Sequence, residues 1–179
     1  MKSAIIFGEF IEKSTTGIAY MNSVLEESLI EIGFQINKFY DPRTGDHKSK
    51  TLEYEKNFNF TSYIKLLRDI YRVKKSNIAF FNLSFHKKLG MFKILIISFL
   101  LRIKSDQVYV FVHRGDLFKE YKSSIFKRLY INFIFSISNK IIFLSSKIKS
   151  EMSLINQSYK KFGVLSNCLN KKDMNKSNS

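Results

Sequence analysis

Polar residues that could do chemistry follow one strongly apolar strand pattern. Residues 107–112 (QVYVFV) contain a continuous β-branched and aromatic run, and His113, Arg114, Gly115 and Asp116 come directly after it. A run that is apolar at consecutive positions predicts a strand buried on both faces, which is typical of a parallel sheet covered by helices. Ligands of open α/β sheets bind at the carboxyl ends of the strands. The sequence therefore places His113 where chemistry is expected.

His113 is the candidate catalytic residue, because a neutral imidazole can hydrogen-bond a hydroxyl or stabilise a developing charge. The alternative is a structural histidine that is bonded to a nearby carbonyl. Arg114, Gly115 and Asp116 could bind an acceptor, or the two charged residues could simply pair with each other. His86 ends the predicted third strand, so it could line the same cleft or lie on the surface.

A second candidate binding site lies where the first predicted helix begins, at Thr16 and Gly17. A helix N-terminus presents unpaired backbone N–H groups and a partial positive charge, and glycine lets a phosphate approach the backbone. The alternative is that Thr15 or Thr16 caps the helix and Gly17 only forms a turn.

The sequence predicts neither a cofactor nor a metal site. The G-x-G-x-x-G spacing of a dinucleotide site is missing. Three histidines and the lone cysteine, Cys168, are scattered along the chain, and this spacing does not form a metal site. A single cysteine also excludes an intrachain disulfide and suits a reducing compartment.

The charge balance indicates an anionic partner. The chain has 179 residues, with 30 Lys and Arg against 15 Asp and Glu. This excess favours nucleic acid, anionic lipid or a phosphorylated ligand. The longest apolar run, 94–101, is too short to cross a bilayer, and the N-terminus has no secretory pattern. We expect a cytoplasmic protein that contacts the inner face of the cytoplasmic membrane only peripherally.

Strand and helix patterns alternate along the chain, which predicts an α/β class with a mostly parallel sheet, in a Rossmann-like three-layer domain. We expect this domain to cover 1–170, with a disordered polar tail at 171–179. Strand patterns cover residues 3–7, 34–40, 77–83, 107–112, 140–144 and 162–166. Helical patterns cover a first helix that opens at 15–17 and stops at Gly33, then 61–75, 89–104, 117–138 and 147–157.

Several local segments follow one another in a recognisable order. They are the strand, loop and helix opening at 5–8 and 15–19, the helix end at 32–36, the strand ending in histidine at 110–116, and the strands at 139–145 and 162–167. Their order resembles the N-terminal, acceptor-side half of a two-domain GT-B glycosyltransferase, most like glycosyltransferase family 4. Two departures are a single glycine, Gly17, where the family often has two, and Cys168 where a glycine usually follows the asparagine.

The resemblance implies that Thr16 and Gly17 face the donor phosphates and that His113 contacts the transferred sugar or the acceptor. In the family a second domain carries the nucleotide-sugar site, and no sequence after Asn170 is expected to supply it. The resemblance thus implies a hexosyltransferase that is inactive until a donor-binding domain completes it. The reaction would move a sugar from a nucleotide-sugar to a glycan or lipid-linked acceptor in surface-polysaccharide synthesis.

The alternative function is a non-catalytic basic module that binds anionic membrane or nucleic acid. The helix 91–101 is apolar nearly all round, so it is either buried in the core or interfacial on an anionic bilayer. Nucleic acid is disfavoured as a partner, since no recognition-helix, zinc-finger or RNP-type pattern is present. The cationic residues that flank this helix are Lys87, Lys88, Lys93, Arg102 and Lys104.

Overall fold

The structure, a computed structural model, describes residues 2–12, 16–41, 60–83, 88–155 and 160–165. Strands and helices alternate through these ranges. The elements are β1 Ser3–Gly8, α1 Gly17–Glu31, β2 Gln35–Tyr40, α2 Phe60–Arg72, β3 Ser76–Asn82, α3 Lys88–Lys104, β4 Ser105–Val112, α4 Leu117–Ser123, α5 Ile125–Ile137, β5 Lys140–Phe143, α6 Ser146–Ser153 and β6 Phe162–Val164.

The described strands form one six-stranded sheet in the order β2-β1-β3-β4-β5-β6. Every neighbouring pair is parallel, which confirms the predicted α/β class. The chain runs from β1 outward to β2 and then returns past β1 to β3. Such a reversal of the strand order leaves a crevice at the carboxyl ends of the two strands involved, β1 and β3.

The two faces of the sheet bury different side chains, as the alternation of a strand requires. Ile5 and Phe7 of β1 pack in the larger core cluster with α2, α3, α5 and α6. Ala4 and Ile6 face the opposite cluster with Leu29 of α1. Burying one such large apolar side chain contributes about 1.5–3 kcal/mol. The helices on both faces of the sheet confirm the predicted Rossmann-like arrangement.

Helix α1 stops at the glycine that the sequence indicated. Gly33 has φ +86°, a left-handed conformation that glycine adopts without steric strain. The Gly33 N–H donates to Ile30 O at 2.9 Å, and the Phe34 N–H donates to Leu29 O at 2.9 Å. This pair of bonds is a Schellman motif, which satisfies carbonyls at the helix end.

The single long helix predicted over 117–138 is wrong, because two helices, α4 and α5, occupy these residues. Ser124 lies between them with extended backbone angles, φ −159° and ψ 149°. Its hydroxyl accepts a hydrogen bond from the Lys127 N–H at 3.2 Å. The apolar periodicity is continuous across the break, but serine favours the N-cap position over a helix interior.

Helix α3 is buried along one side and exposed along the other, so the buried interpretation holds for one side, and contact of the exposed side with a bilayer stays a prediction. Ile94, Ile97 and Leu101 are buried, whereas Phe92 and Phe99 are exposed. Among the described residues, no helix combines the length and apolar character needed to cross a bilayer.

Lys93 is not one of the surface cations that we expected beside α3. Its side chain is only 2% exposed, and its Nζ lies 2.5 Å from Oδ1 of Asp41. A buried ammonium needs a paired anion, because an isolated charge in the interior is very unfavourable. The carboxylate of Asp41, directly after β2, provides it.

Candidate functional site

The candidate site lies where β1, β3 and β4 end side by side. Gly8 is the last residue of β1, Asn82 ends β3, and His113 follows β4. The parallel register pairs Phe7 with Phe81 and Asn82 with Phe111. Three neighbouring strands of the sheet therefore bring Gly8, Asn82 and His113 to the same edge, at the carboxyl ends of the strands.

A chain of hydrogen bonds connects these strand ends to helix α1. His113 Nε2 lies 2.5 Å from Asn82 Oδ1. The Asn82 side-chain amide donates to Asn22 Oδ1 at 3.2 Å, and the Asn22 amide donates to the Glu9 carbonyl at 2.7 Å. Both asparagines are buried, so the bonds replace water as partners of their amide groups.

Gly8 makes room for this chain of hydrogen bonds. A Cβ placed on Gly8 would lie 2.8 Å from Asn22 Nδ2 and 2.9 Å from Asn82 Nδ2. Non-bonded carbon and nitrogen atoms do not approach this closely, so any other residue at this position would displace the two amides. The end of β1 thus requires glycine for close approach.

His113 is neutral under physiological conditions. Burial lowers the pKa of His113 to about 4, although the Glu9 carboxylate acts in the opposite direction. Removing the ring from water disfavours its charged form. The ring also lies beside Phe111, with the two centroids 6.1 Å apart. A neutral imidazole at the strand end is what the proposed sugar contact requires.

Thr16 caps helix α1, which is the interpretation that the sequence left open. Its Oγ1 accepts from the Ala19 N–H at 3.2 Å and donates to Glu9 Oε2 at 2.5 Å. The carboxylate thus lies near the positive end of the helix, where negative charge is favoured. A Cβ on Gly17 would meet nothing within 4 Å, so the space beside the first residue of the helix is open.

Arg114 and Asp116 pair with each other. The guanidinium donates from Nε to Asp116 Oδ1 at 2.7 Å and from Nη2 to Oδ2 at 2.5 Å. Arg114 Nη2 also donates to Glu120 Oε1 at 3.2 Å, and Lys127 pairs with the same carboxylate. The hydrogen bonds from Arg114 hold the pKa of Asp116 below its ordinary value. Gly115 is exposed, and a Cβ there would have open space.

The structure brings Thr16, Gly17 and His113 to one edge of the sheet, with Arg114, Gly115 and Asp116 in the loop that follows. His86 falls outside the described residues, as do Thr15 and the predicted tail. The binding and catalytic roles given to these residues remain predictions. Within the described ranges, no group of three or more His, Cys, Asp or Glu side chains could hold a metal ion.

Sequence reasoning missed Gly8, Glu9, Asn22 and Asn82. One signal was available for Asn22, which occupies a position on the buried face of α1 together with Ala19. A polar side chain at a core position usually has a specific hydrogen-bond partner. Asn82 gave a weaker signal as the polar residue at the end of an apolar strand.

No family model matches the chain, and no curated protein matches it. Among solved structures, the chain is similar to an "alpha-glucosyltransferase in complex with UDP and a 13-mer DNA containing a central A:G mismatch", with a TM-score of 0.55 and 12% sequence identity. The alignment covers 99% of this chain and 43% of that chain. The chain therefore spans less than half the length of the glucosyltransferase. The similarity confirms the resemblance to a glycosyltransferase at the level of the fold, and membership of family 4 stays a prediction.

Proposed function

We propose that the chain is the acceptor-side domain of a glycosyltransferase of the GT-B type. The observation that carries the proposal is the neutral His113, which a buried hydrogen-bond chain holds next to the point where the strand order of the parallel sheet reverses. The similarity to the fold of a glucosyltransferase whose structure contains UDP supports the same reaction class. The complete enzyme would transfer a sugar from a nucleotide-sugar to a glycan or lipid-linked acceptor in surface-polysaccharide synthesis.

The residues at the edge of the sheet take separate roles in this proposal. His113 contacts a hydroxyl of the transferred sugar or acceptor. The backbone at Gly17, and not the hydroxyl of Thr16, takes a donor phosphate, because this hydroxyl is already bonded to Glu9. The loop from Arg114 to Asp116 lies beside the acceptor. Because the guanidinium is already paired with two carboxylates, this loop suits a polyhydroxylated acceptor better than an anionic one.

Transfer also requires a donor-binding domain, on the same polypeptide or another one. The chain aligns with 43% of the glucosyltransferase, which leaves the larger part of that enzyme without a counterpart here. We therefore expect the described domain to bind ligand weakly and to transfer nothing by itself. Measurable transfer by this chain alone would contradict the requirement for a second domain.

The experiment that tests the site is a titration of the ¹⁵N-labelled chain with UDP and with UDP-linked sugars. We expect the backbone amides of Gly17 and His113 to shift with a UDP-linked sugar, and the His113→Gln variant to lose the response at the second position. Shifts confined to the outer faces of α2 to α5 would count against the proposed site. A gel shift with DNA and a steep salt dependence would favour the non-catalytic basic module instead.

We also propose that the outer surface of the helices α2, α3 and α5 contacts an anionic membrane. These helices are neighbours on one face of the sheet, and the helices α2 to α5 contain only two acidic residues, Asp69 and Glu120. Apolar side chains flanked by cations suit the interface of an anionic bilayer. The exposed large apolar side chains of this surface are Phe60, Ile64, Tyr71, Phe92, Phe99, Ile103, Ile125, Phe126, Leu129 and Phe133.

A further inference from the structure

The hydrogen-bond chain at the site has a direction that its first member fixes. The backbone carbonyl of Glu9 can only accept a hydrogen bond. The Asn22 side chain must therefore turn its NH₂ group toward it, as observed at 2.7 Å. This orientation leaves Asn22 Oδ1 pointing at the neighbouring asparagine, Asn82.

The same logic orients Asn82. Its NH₂ group donates to Asn22 Oδ1 at 3.2 Å, so its own Oδ1 faces His113. Reversing the Asn22 amide would place its oxygen against the Glu9 carbonyl. Reversing the Asn82 amide would place two side-chain oxygens against each other. Only one orientation of the two amides satisfies all of these contacts.

The series of hydrogen bonds therefore determines which ring nitrogen of His113 is protonated. Asn82 Oδ1 is an acceptor without a proton, and it lies 2.5 Å from His113 Nε2. A contact this short between an oxygen and a nitrogen requires a hydrogen between them. A neutral imidazole carries one proton, so Nδ1 retains its lone pair.

We propose that Asn22 and Asn82 are positioning residues that hold His113 as the Nε2–H tautomer and thereby leave Nδ1 as the hydrogen-bond acceptor of the ring. Only the identity of the ligand rests on the proposed function: the group that Nδ1 accepts from is then a sugar or acceptor hydroxyl. A phosphate dianion has no proton to donate and does not suit this nitrogen. Gly8 supports the arrangement because it leaves space for both amides.

The direct test is nitrogen NMR of the ¹⁵N-histidine-labelled chain without any ligand. Protonated and unprotonated ring nitrogens resonate far apart, and a His113→Gln variant identifies the signals that belong to this ring. We expect an unprotonated Nδ1 and a protonated Nε2 throughout the near-neutral pH range. The opposite tautomer, or signals averaged between the two tautomers, would overturn the proposal.

Variants separate positioning from general stability. Asn82→Ala removes the acceptor of the Nε2 proton, and Asn22→Leu removes the group that orients Asn82, so both should give averaged tautomers. Asn77→Ala is the matched control, because Asn77 lies on the same strand and its Oδ1 accepts from the exposed Ser3 N–H at 2.9 Å. Folded variants at the two buried positions that keep the wild-type spectrum would contradict the proposal.

Asn82→Asp provides the test if the Asn82→Ala and Asn22→Leu variants do not fold. The introduced carboxylate loses the donation to Asn22 Oδ1, but it still accepts from Nε2 and adds a negative charge, so Nε2 should stay protonated and the pKa of His113 should rise. A His113 ring that changes tautomer in this variant would count against the proposed direction of the hydrogen bond from Nε2 to residue 82. None of these spectra requires a ligand, so their outcome is independent of whether sugar transfer is detected.

Discussion

At the scale of single residues, the space left by Gly8 determines the geometry of the site. Two buried amides approach the Cα of this residue so closely that a methyl group would overlap both of them. The requirement is local and has two causes, since Asn22 and Asn82 crowd this position and its φ of +158° is one that residues with a Cβ rarely adopt.

Gly8→Ala should destabilise the fold by about 1–3 kcal/mol, the usual effect of overpacking a core. The measurement is urea denaturation of the variant and the wild type. Gly17→Ala is the matched control, because its added methyl meets nothing within 4 Å and alanine favours a helix by up to about 1 kcal/mol. A Gly8→Ala variant as stable as the wild type would show that the asparagines move aside easily.

His113 should make the stability of the fold depend on pH. Burial places its folded pKa at about 4, below the ordinary value of 6.5, so the unfolded chain binds more protons between these two values. Stability should therefore be full above pH 6.5 and should fall as the pH drops toward 4. The loss is at most about 3 kcal/mol.

His113→Gln tests this dependence, because glutamine can still donate to Asn82 but does not titrate. The free energy of unfolding of both proteins is measured at several pH values across the window. We expect the difference between them to change by up to about 3 kcal/mol. Parallel pH profiles would show that His113 is not the group responsible.

At the scale of elements, a buried ion pair connects helix α3 to the residue that follows the edge strand β2. Asp41 follows the edge strand β2, and its N–H donates to the Gly8 carbonyl at 2.9 Å. Its side chain pairs with Lys93 of α3, whose backbone carbonyl accepts from the Tyr63 hydroxyl of α2 at 3.2 Å. Burial, with the nearby Asp41 carboxylate, raises the pKa of Tyr63 to about 12. Both helices and β2 therefore depend on one polar cluster.

Lys93→Met should destabilise the fold by about 3–5 kcal/mol, because it removes one partner of a buried ion pair. The double variant with Asp41→Asn removes both charges and should regain a large part of that loss. Lys75→Met is the control for an exposed pair, since Lys75 and Asp106 are 63% and 55% exposed, and it should change stability by less than about 1 kcal/mol. A similarly small effect of Lys93→Met would contradict the structural role of the buried pair.

The elements that the sequence predicted best are those whose signal is local. Apolar spacing placed the strands to within two residues, and Gly33 correctly ended α1. Ser124 was missed because its capping bond to the Lys127 N–H interrupts a helix without interrupting the apolar periodicity. Lys93 was misplaced because its partner, Asp41, is distant in sequence and only the strand order makes them neighbours.

The residues of the candidate site also fall into those that local sequence patterns predicted and those that they did not. His113 and Thr16 stand at recognisable strand and helix ends, so local pattern sufficed to select them. The contacts of Asn82 with Asn22 and His113 depend on β3 lying between β1 and β4. Residue spacing does not specify that neighbourhood, and the hydrogen-bond chain could not be foreseen from it.

At the scale of the whole molecule, the chain has an apolar and basic helical side and a separate edge that carries the candidate site. Phe99 and Leu129 are 53% and 61% exposed on adjacent helices α3 and α5. Arg102 and Arg128 are exposed on the same two helices. The proposed membrane contact on this surface would leave the edge where the strands end accessible.

The double variant Phe99→Ser, Leu129→Ser should weaken binding to anionic vesicles by at least about tenfold, since burying each side chain is worth about 1.5–3 kcal/mol. Vesicle flotation measures the effect. Ile30→Ser is the matched control, because Ile30 is 55% exposed on α1 at the opposite face of the sheet. Equal binding by the double variant and the control would rule out this surface as the membrane contact.

The order of the strands also has a consequence for synthesis on the ribosome. β1 pairs with β3, so Ala4 pairs with Ile78, and the Nε2 partner of Asn82 Oδ1 comes only with His113, beyond β4. A nascent chain that ends before this histidine has both asparagines, Asn22 and Asn82, but not the ring that they orient. Contacts between such distant residues form slowly. We therefore expect the hydrogen bond between Asn82 and His113 to form only after most of the domain has left the exit tunnel.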